Sequence, residues 1–351
     1  MCSEINEFLY PGLILCVEMT EITHVLPSLK QRKRLIKVTA KTNIHYGKSP
    51  EERSVKELLN NGFINLDKPA GPTSHQVVAW VKEGLEIEKA GHGGTLDPAV
   101  TGVLPVALGD AARALQVLLV AGKEYVALMK LHKPVEEKNI REVMKGFVGE
   151  VSQVPPLRSA VKRVRRTRQV YYIDVLEIHG TEVLFRVGCE AGTYIRTLCV
   201  DIGKKLGSGA QLAQLRRTRV GTITEDTAVT LQDVKDAYIF WKEDRDDSVL
   251  RGVIHPMERL LDVVPKIVVR DSAVDALCHG ANLAIPGVVE IDADIKKEEM
   301  AAVLSLKGEG VALVKMEIPS EQVVERDAGL CARPLRVLMN KGTYPSLWKK
   351  T

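Results

Sequence analysis

The sequence predicts an α+β protein: a mixed-sheet domain followed by a small β-barrel. From Gly62 to about Asp262, strand-like segments alternate with helix-like ones, and hairpin signals join the strands more often than parallel crossovers do. From Val264 onward the chain changes to short apolar runs separated by turns, which is typical of a small barrel. The 351 residues are 45% apolar, which is enough for about two sizeable cores.

The elements of the first domain follow from apolar periodicity and from capping signals. Residues 63–69 read as a strand that ends in proline, and Ser74 is expected to cap the helix that follows. Asp110 is expected to cap a second helix, residues 123–131 read as a strand, and residues 140–147 carry a further helical stripe.

The second half of this domain predicts a hairpin, a helix and a connector. Two strands, 169–178 and 182–189, are joined across a His-Gly pair, which is a hairpin signal. Thr193 is expected to open a helix that Gly207 ends. Residues 240–259 are charged and mixed, and we interpret them as the connector to the barrel.

Basic residues are concentrated in three stretches, although the formal net charge is only +4. These stretches are 30–41, 156–169 and 216–219, and they contain no acidic residue. A charge run is usually a solvated face, but three such clusters favour a polyanionic partner. The predicted phosphate contacts are Arg158, Lys162, Arg163, Arg165, Arg166, Arg168, Arg216, Arg217 and Arg219.

Cysteine usage and hydropathy indicate an intracellular protein. The six cysteines form no CxxC pair or metal-ligand spacing, so we expect free thiols in a reducing compartment and no bound metal. The apolar run 8–17 is too short for a membrane span and lacks the basic start of a signal peptide. We therefore expect a cytoplasmic location.

Residues 91–104, GHGGTLDPAVTGVL, contain the most informative motif. The glycines allow close backbone approach, and Pro98 places the preceding Asp97 on a turn with its side chain projecting outward. The alternative is an ordinary helix cap, with Asp97 before a proline at the first helical position. The motif alone does not decide between them.

Three further blocks accompany this motif: GFINLDKPAGPTS at 62–74, KEY at 123–125 and GTYIRTL at 192–198. Together the four blocks resemble the RNA pseudouridine synthases of the TruB family, and most closely the dyskerin-like, archaeal and eukaryotic branch that works in H/ACA ribonucleoproteins. The resemblance implies three parts: an N-terminal arm over 1–60 that packs on the C-terminal domain, a catalytic domain over 61–262, and a PUA RNA-binding domain over 263–345.

The resemblance implies a role for each site residue. Asp97 corresponds to the family's catalytic aspartate, as nucleophile or charge stabiliser, and Arg196 to the arginine that pairs with it. We expect this pair in a dry pocket. Burial there would raise the pKa of the carboxylate, and the nearby cation would lower it again. Tyr125 is expected to stack on the flipped base or to act as a general base, with Tyr194 lining the pocket and His92 assisting base flipping.

The implied reaction is an isomerisation that needs no cofactor and no metal. The expected substrates are rRNA and the T-loop uridine of tRNA. The segment His132–Pro155 is short, as in the guide-RNA branch, which favours reliance on a guide RNA and small ribonucleoprotein subunits. The block that contains Lys68 is expected to hold the catalytic loop rather than to react.

Two other functions fit parts of the sequence. A non-catalytic RNA-binding scaffold would keep the fold and the PUA domain, but it would have no reason to keep Asp97, Tyr125 and Arg196 together. A nucleotide-binding enzyme that uses GHGG as a phosphate loop lacks both the GK[ST] ending and the GxGxxG spacing.

Overall fold

The computed structural model describes residues 26–27, 31–154 and 164–346. The strands in these ranges are β1 (Arg34–Ile36), β2 (Gly62–Lys68), β3 (Ala90–His92), β4 (Thr101–Leu108), β5 (Lys123–Leu131), β6 (Gly149–Gln153), β7 (Arg166–His179), β8 (Glu182–Cys189), β9 (Ala210–Val220), β10 (Ile223–Thr224), β11 (Ile254–Pro256), β12 (Lys266–Val269), β13 (Leu283–Ala284), β14 (Val288–Asp292), β15 (Met300–Leu304), β16 (Gly310–Met316) and β17 (Leu330–Val337). The α-helices are α1 (Val55–Asn61), α2 (Ser74–Gly84), α3 (Gln116–Val120), α4 (Glu137–Lys145), α5 (Ile195–Leu206), α6 (Leu231–Asp244), α7 (Ser248–Val253), α8 (Asp271–Cys278) and α9 (Ser320–Glu325).

The strands form two sheets, which confirms the α+β prediction. A ten-stranded sheet follows the order β11-β2-β4-β9-β5-β8-β7-β6, with β3 paired to β4 and β10 paired to β9. A seven-stranded sheet follows the order β1-β14-β12-β15-β16-β17-β13 and curls into a half-barrel. No helix in the described ranges is long and apolar enough to span a bilayer.

The first sheet is mainly antiparallel, as the hairpin signals predicted. The strands β7 and β8 form the expected hairpin, and Gly180 takes the left-handed conformation (φ 59°) in its turn. The pair β4–β9 is the parallel exception. It places the start of β4, which follows the loop that carries Asp97, beside Arg216 and Arg217 in the second half of β9. Helix α5 ends at Gly207 as predicted, again with positive φ (70°).

Three predicted caps are wrong in detail. Thr73, not Ser74, caps α2, because its hydroxyl accepts from the Gln76 amide in a capping box. Asp110 lies inside a 3₁₀ helix over Gly109–Leu115, where its carboxylate accepts from Arg113 at 2.8 Å instead of capping an α-helix. Thr193 lies two residues before the start of α5, and its hydroxyl donates to the Glu190 carbonyl.

The predicted connector is also wrong. Most of 240–259 belongs to the end of α6, to α7 and to β11, and β11 is the edge strand paired with β2. Leu250 and Val253 of α7 are buried there. The charged residues that suggested a linker cover the outer surface of these elements.

The two sheets share one apolar core, whose residues come from both. Its members include Phe63, Val103, Leu260, Leu261, Ala302, Leu313 and Leu338. A polar link lies beside it: Arg53 donates twice to Glu258, both times at 2.7 Å, and Glu258 accepts from the Gly310 amide at 2.9 Å. This link joins the start of α1 to the second sheet.

The segment before α1 lies along the second sheet. Strand β1 pairs with β14, and Lys307 donates to the carbonyls of Ile44, Tyr46 and Gly47. Asp271 accepts from the Asn43 amide at 2.8 Å. The seven-stranded sheet is therefore completed by residues that precede the ten-stranded sheet in the chain.

The Arg53–Glu258 link allows a stability test. Both side chains are about nine-tenths buried (12% and 11% exposed), so Arg53→Ala should leave a poorly hydrated carboxylate and lower the free energy of unfolding by about 2–3 kcal/mol. Glu137→Ala removes an exposed helical pair with Arg141 and should cost less than about 0.5 kcal/mol. Urea unfolding measures both, and an equal effect of the two substitutions would contradict the assigned role of the link.

Candidate active site

The loop between β3 and β4, residues 93–100, carries Asp97 and is fixed along its length. The hydroxyl of Ser74 accepts from the Leu96 amide at 2.9 Å and donates to the Leu96 carbonyl at 3.1 Å. Ser74 is fully buried, so this exchange takes place out of contact with water. Ser74, predicted to cap a helix, therefore holds the loop that carries Asp97 instead.

A buried lysine satisfies the carbonyls on the underside of the same loop. Lys68 Nζ donates to the carbonyls of Pro69, Pro98 and Val100 at 2.8, 3.1 and 2.9 Å, and its side chain is fully buried. Burial lowers the pKa of Lys68 below its usual value, while the nearby Asp97 carboxylate acts in the opposite direction. Lys68 thus has the holding role that the sequence predicted.

Asp97 and Arg196 meet at the mouth of the site. A guanidinium nitrogen of Arg196 lies 2.5 Å from an Asp97 carboxylate oxygen, across 99 residues of sequence. Their side chains remain 56% and 52% exposed, so the predicted pairing is present but the predicted dry pocket is not. Arg196 occupies the first turn of α5, where the helix dipole disfavours a cation, and the aspartate offsets that cost.

Arg217 lies beneath the loop and is 1% exposed. Its Nε donates to the Val103 carbonyl at 2.8 Å and a terminal nitrogen donates to the Gly94 carbonyl at 3.1 Å. Gly102 has φ 101°, and a Cβ there would lie 2.2 Å from the Arg217 carbonyl oxygen, so the two backbones can approach only without a side chain. The predicted phosphate contact at Arg217 is wrong, since its guanidinium is inside the protein.

Tyr125 on β5 faces Arg217 across the strand pair β5–β9. It is half-buried, and its phenol lies near the Arg217 guanidinium. Burial raises the pKa of the Tyr125 phenol above its usual value, which the adjacent guanidinium offsets only in part. The phenol is therefore neutral near pH 7, which disfavours the predicted general base and leaves stacking and hydrogen bonding.

Tyr194 and His92 complete the surroundings of the pair. Tyr194 precedes α5, and its backbone amide and carbonyl bond to the buried side chain of Gln153, at 2.9 and 3.2 Å. His92 packs edge-to-face against His75 with ring centroids 5.0 Å apart. Burial lowers the pKa of His92, and His75 and Arg217 lower it further, so the imidazole is neutral near pH 7. Sequence reasoning missed Gln153 and His75.

The predicted phosphate contacts divide into exposed and engaged side chains. Arg165 and Arg166 are exposed, Arg219 is half-buried, and Arg158, Lys162 and Arg163 lie outside the described residues. Arg168 is half-buried and pairs with Glu190. Arg216 is bound by both oxygens of Asp67 at 2.9 Å and by Glu225 at 2.8 Å, which makes it a structural residue rather than a free phosphate ligand.

The described residues contain no cluster of three or more His, Cys, Asp or Glu side chains that could hold a metal ion. The arrangement offers instead an accessible carboxylate paired with a guanidinium, a neutral phenol and a neutral imidazole. Such a set can place a negative charge against a reacting carbon atom while a ring stacks on the substrate.

Four family descriptions match consecutive parts of the chain. They are the DKCLD (NUC011) domain over 23–78, the TruB family pseudouridylate synthase N-terminal domain over 82–195, the tRNA pseudouridylate synthase B C-terminal domain over 196–262, and the PUA domain over 265–338. Together they span nearly the whole described chain.

Similar proteins and structures extend this finding. The probable tRNA pseudouridine synthase B of Methanosarcina barkeri is 54% identical over 93% of this chain and 96% of its own, and that of Pyrococcus abyssi is 54% identical over 93% and 99%. A chain in the crystal structure of a Cbf5–Nop10–Gar1 complex is 53% identical, with a TM-score of 0.90 over 93% of this chain and all of its own. A chain in an H/ACA ribonucleoprotein bound to a substrate RNA containing 2′-deoxyuridine is 51% identical, with a TM-score of 0.87 over 92% of this chain and all of its own. From these matches, and from the loop that carries Asp97, the chain belongs to the TruB family of pseudouridylate synthases and carries a PUA domain.

Proposed function

We propose that this chain isomerises uridine to pseudouridine in rRNA as the catalytic subunit of an H/ACA ribonucleoprotein, and also in the T-loop of tRNA. The observation that carries the proposal is the contact between Asp97 and Arg196 on a loop fixed from beneath. Guide RNA and small H/ACA subunits are the proposed partners, because similar chains occur in complexes of that kind. The proposed location is the cytoplasm.

The reaction assigns Asp97 its place. The bond between C1′ and N1 of the uridine breaks, the uracil turns, and C5 bonds to C1′; C5 then loses its proton and N1 gains one. Atoms and charge balance without a cofactor. The Asp97 carboxylate lies beside C1′, either as the attacking nucleophile or as the anion that stabilises positive charge on the sugar. Arg196 holds that carboxylate in place in both routes.

The substrate itself supplies the missing cover over this pair. A uridine must leave its stack to reach the carboxylate, and an inserted base and ribose exclude water from the mouth of the site. The neutral Tyr125 ring then stacks on the uracil, and the neutral His92 ring fills space behind it. Charge interactions that are weak in the free protein become stronger once RNA has bound.

We propose two RNA-binding surfaces. Arg165 and Arg166 are exposed at the start of β7 and are the proposed phosphate contacts near the cleft. The PUA domain is the proposed anchor for guide RNA. We also propose division of the chain into an arm over 1–60, a catalytic domain over 61–262 and a PUA domain over 263–345, supported by the order of the family matches.

A non-catalytic scaffold is the alternative function. It would need the RNA-binding surfaces but not an accessible carboxylate positioned by buried groups. The fixed loop, the ion pair at its tip and the adjacent phenol favour the enzyme.

Asp97→Asn tests the proposed function. The amide keeps the shape but not the charge, so formation of pseudouridine should fall by a factor of about 10³ or more. Because the side chain is largely exposed, the free energy of unfolding should change by less than about 1 kcal/mol. Release of tritium from C5 of labelled uridine measures the activity. Asp201→Asn, on α5 and paired only with Lys204 in the described contacts, is the matched control and should stay active.

Arg196 separates activity from stability. Since its ion pair is half exposed, Arg196→Ala should cost less than about 1 kcal/mol of stability, far below the cost of breaking a buried pair. Its kcat should nevertheless fall strongly, and Arg196→Lys should restore only part of it, because an ammonium cannot match the fork of a guanidinium. A fully active alanine variant would remove Arg196 from the site.

Ser74 and Thr73 provide a matched pair of neighbouring hydroxyls. Ser74→Ala leaves both polar groups of Leu96 without their buried partner and should cost about 1–3 kcal/mol, with kcat lowered roughly tenfold or more. Thr73→Ala removes only the cap of α2 and should cost about 1 kcal/mol with kcat unchanged. Unfolding curves and single-turnover rates on both variants decide, and equal kcat values would contradict the role of Ser74.

A further inference from the structure

Beside Tyr125 on β5, the buried carboxylate of Glu124 links this strand to two others. Glu124 of β5 accepts the Tyr172 hydroxyl of β7 at 2.5 Å with one oxygen, and the Thr218 hydroxyl of β9 at 2.8 Å with the other. The three residues are 9%, 3% and 8% exposed. We call this set of three residues the Glu124 clamp.

The clamp coincides with two irregularities in the sheet. Between β5 and β9, Glu124 is opposite Arg219 while Tyr125 is opposite Arg217, so Thr218 is the extra residue of a bulge. Its hydroxyl is the group that Glu124 holds. A bulge re-aims the side chains that flank it, and those flanking residues include Arg217.

A glycine makes the long reach from β7 possible. Gly188 of β8 pairs with Glu124 on one side and with Tyr172 on the other. A Cβ at Gly188 would lie 2.2 Å from the Tyr172 ring, so the ring occupies the space that a side chain would fill. Tyr172 therefore crosses β8 and reaches the carboxylate on β5. The register of β7 also shifts here, between Val170 and Tyr172.

The neighbours of the clamp residues are the residues of the active site. Tyr125 follows Glu124, and Arg217 precedes Thr218; successive side chains of a strand point to opposite faces. On that opposite face Arg217 holds the carbonyls of Gly94 and Val103, at the two sides of the loop that carries Asp97. The clamp thus fixes β5 and β9 on the face of the sheet opposite to Tyr125 and Arg217.

We propose that the Glu124 clamp is a positioning element of the active site, which sets the direction of Tyr125 and Arg217 by fixing the Thr218 bulge. The inference rests on the proposed function and names further residues that serve it. A buried carboxylate is a poor choice for stability alone, because apolar residues of similar volume often serve as well or better. Its two hydroxyl partners instead select one register of the surrounding strands.

A similar network lies beside the second sheet, with Ser305 just after β15, Glu309 just before β16 and Tyr344 after β17. Glu309 accepts the Tyr344 hydroxyl at 2.6 Å and the Ser305 hydroxyl at 2.9 Å, and the three residues are 4%, 1% and 2% exposed. Removing one hydroxyl from either network deletes the same type of buried hydrogen bond. Tyr344→Phe is therefore the matched control for Tyr172→Phe.

The test compares Thr218→Val, Thr218→Ser, Tyr172→Phe and Tyr344→Phe in the full chain, assembled with an H/ACA guide RNA and the small subunits. Thr218→Val and Tyr172→Phe should lower kcat about tenfold or more and leave KM within about twofold, because misaimed groups affect the transition state more than RNA binding. Thr218→Ser keeps the hydroxyl and should restore kcat. Tyr344→Phe should unfold at lower urea concentration, as Tyr172→Phe does, but keep the wild-type kcat.

The outcomes separate this inference from the proposed function. Wild-type kcat in Thr218→Val, together with reduced stability, would make the clamp purely structural and overturn the inference. Full activity of Asp97→Asn would overturn the proposed function instead. If Tyr172→Phe fails to fold, the comparison of Thr218→Val with Thr218→Ser decides, since valine keeps the shape of threonine without its hydroxyl and serine keeps the hydroxyl without the methyl group.

Discussion

The site depends on two buried cations that bind the backbone beneath the loop that carries Asp97. Lys68 and Arg217 have exchanged water for backbone carbonyls, and those carbonyls belong to residues in and around the loop that carries Asp97. A buried charge is costly unless its hydrogen bonds are made, so any displacement of the loop would leave a cation unsatisfied. The same positive charges favour an anion at the tip of the loop. The two buried cations therefore fix the conformation of the loop and also favour a negative charge at its tip.

The ion pair at the surface has a different character. Asp97 and Arg196 are half exposed, and an exposed pair contributes little to folding. Its value lies in being ready for a substrate, since RNA that covers the pair replaces water with fixed partners. The protein thus buries the two cations that hold the loop and leaves the Asp97–Arg196 pair accessible.

Much of the fold was predictable because it depends on local patterns. The apolar alternation gave the strands, and Gly180 and Gly207 marked a hairpin and a helix end. The resemblance brought Asp97 and Arg196 together across 99 residues, which no local pattern could do. The connector was misjudged because a helix with one buried face and several surface charges resembles a linker when only its charges are counted.

Other features could not be predicted because they depend on pairing between strands. Arg216 and Arg217 read as one basic cluster, but neighbours on a strand point to opposite faces, and here both are engaged inside the protein. Ser74 and Thr73 are both suitable caps, and only the position of Leu96 distinguishes them. A bulge such as that at Thr218 leaves no mark in composition or periodicity.

The density of anchors on residues 93–100 has a consequence for how this segment can change in evolution. Surface loops usually accept insertions and deletions. Here Gly94, Leu96, Pro98 and Val100, every second residue, are each bound to a partner in the rest of the domain. Adding or deleting one residue would shift the backbone groups of the loop away from the Lys68, Ser74 and Arg217 side chains that bind them. The segment is therefore expected to keep its length as strictly as a strand of the core, while its exposed side chains are free to vary wherever they do not meet the substrate.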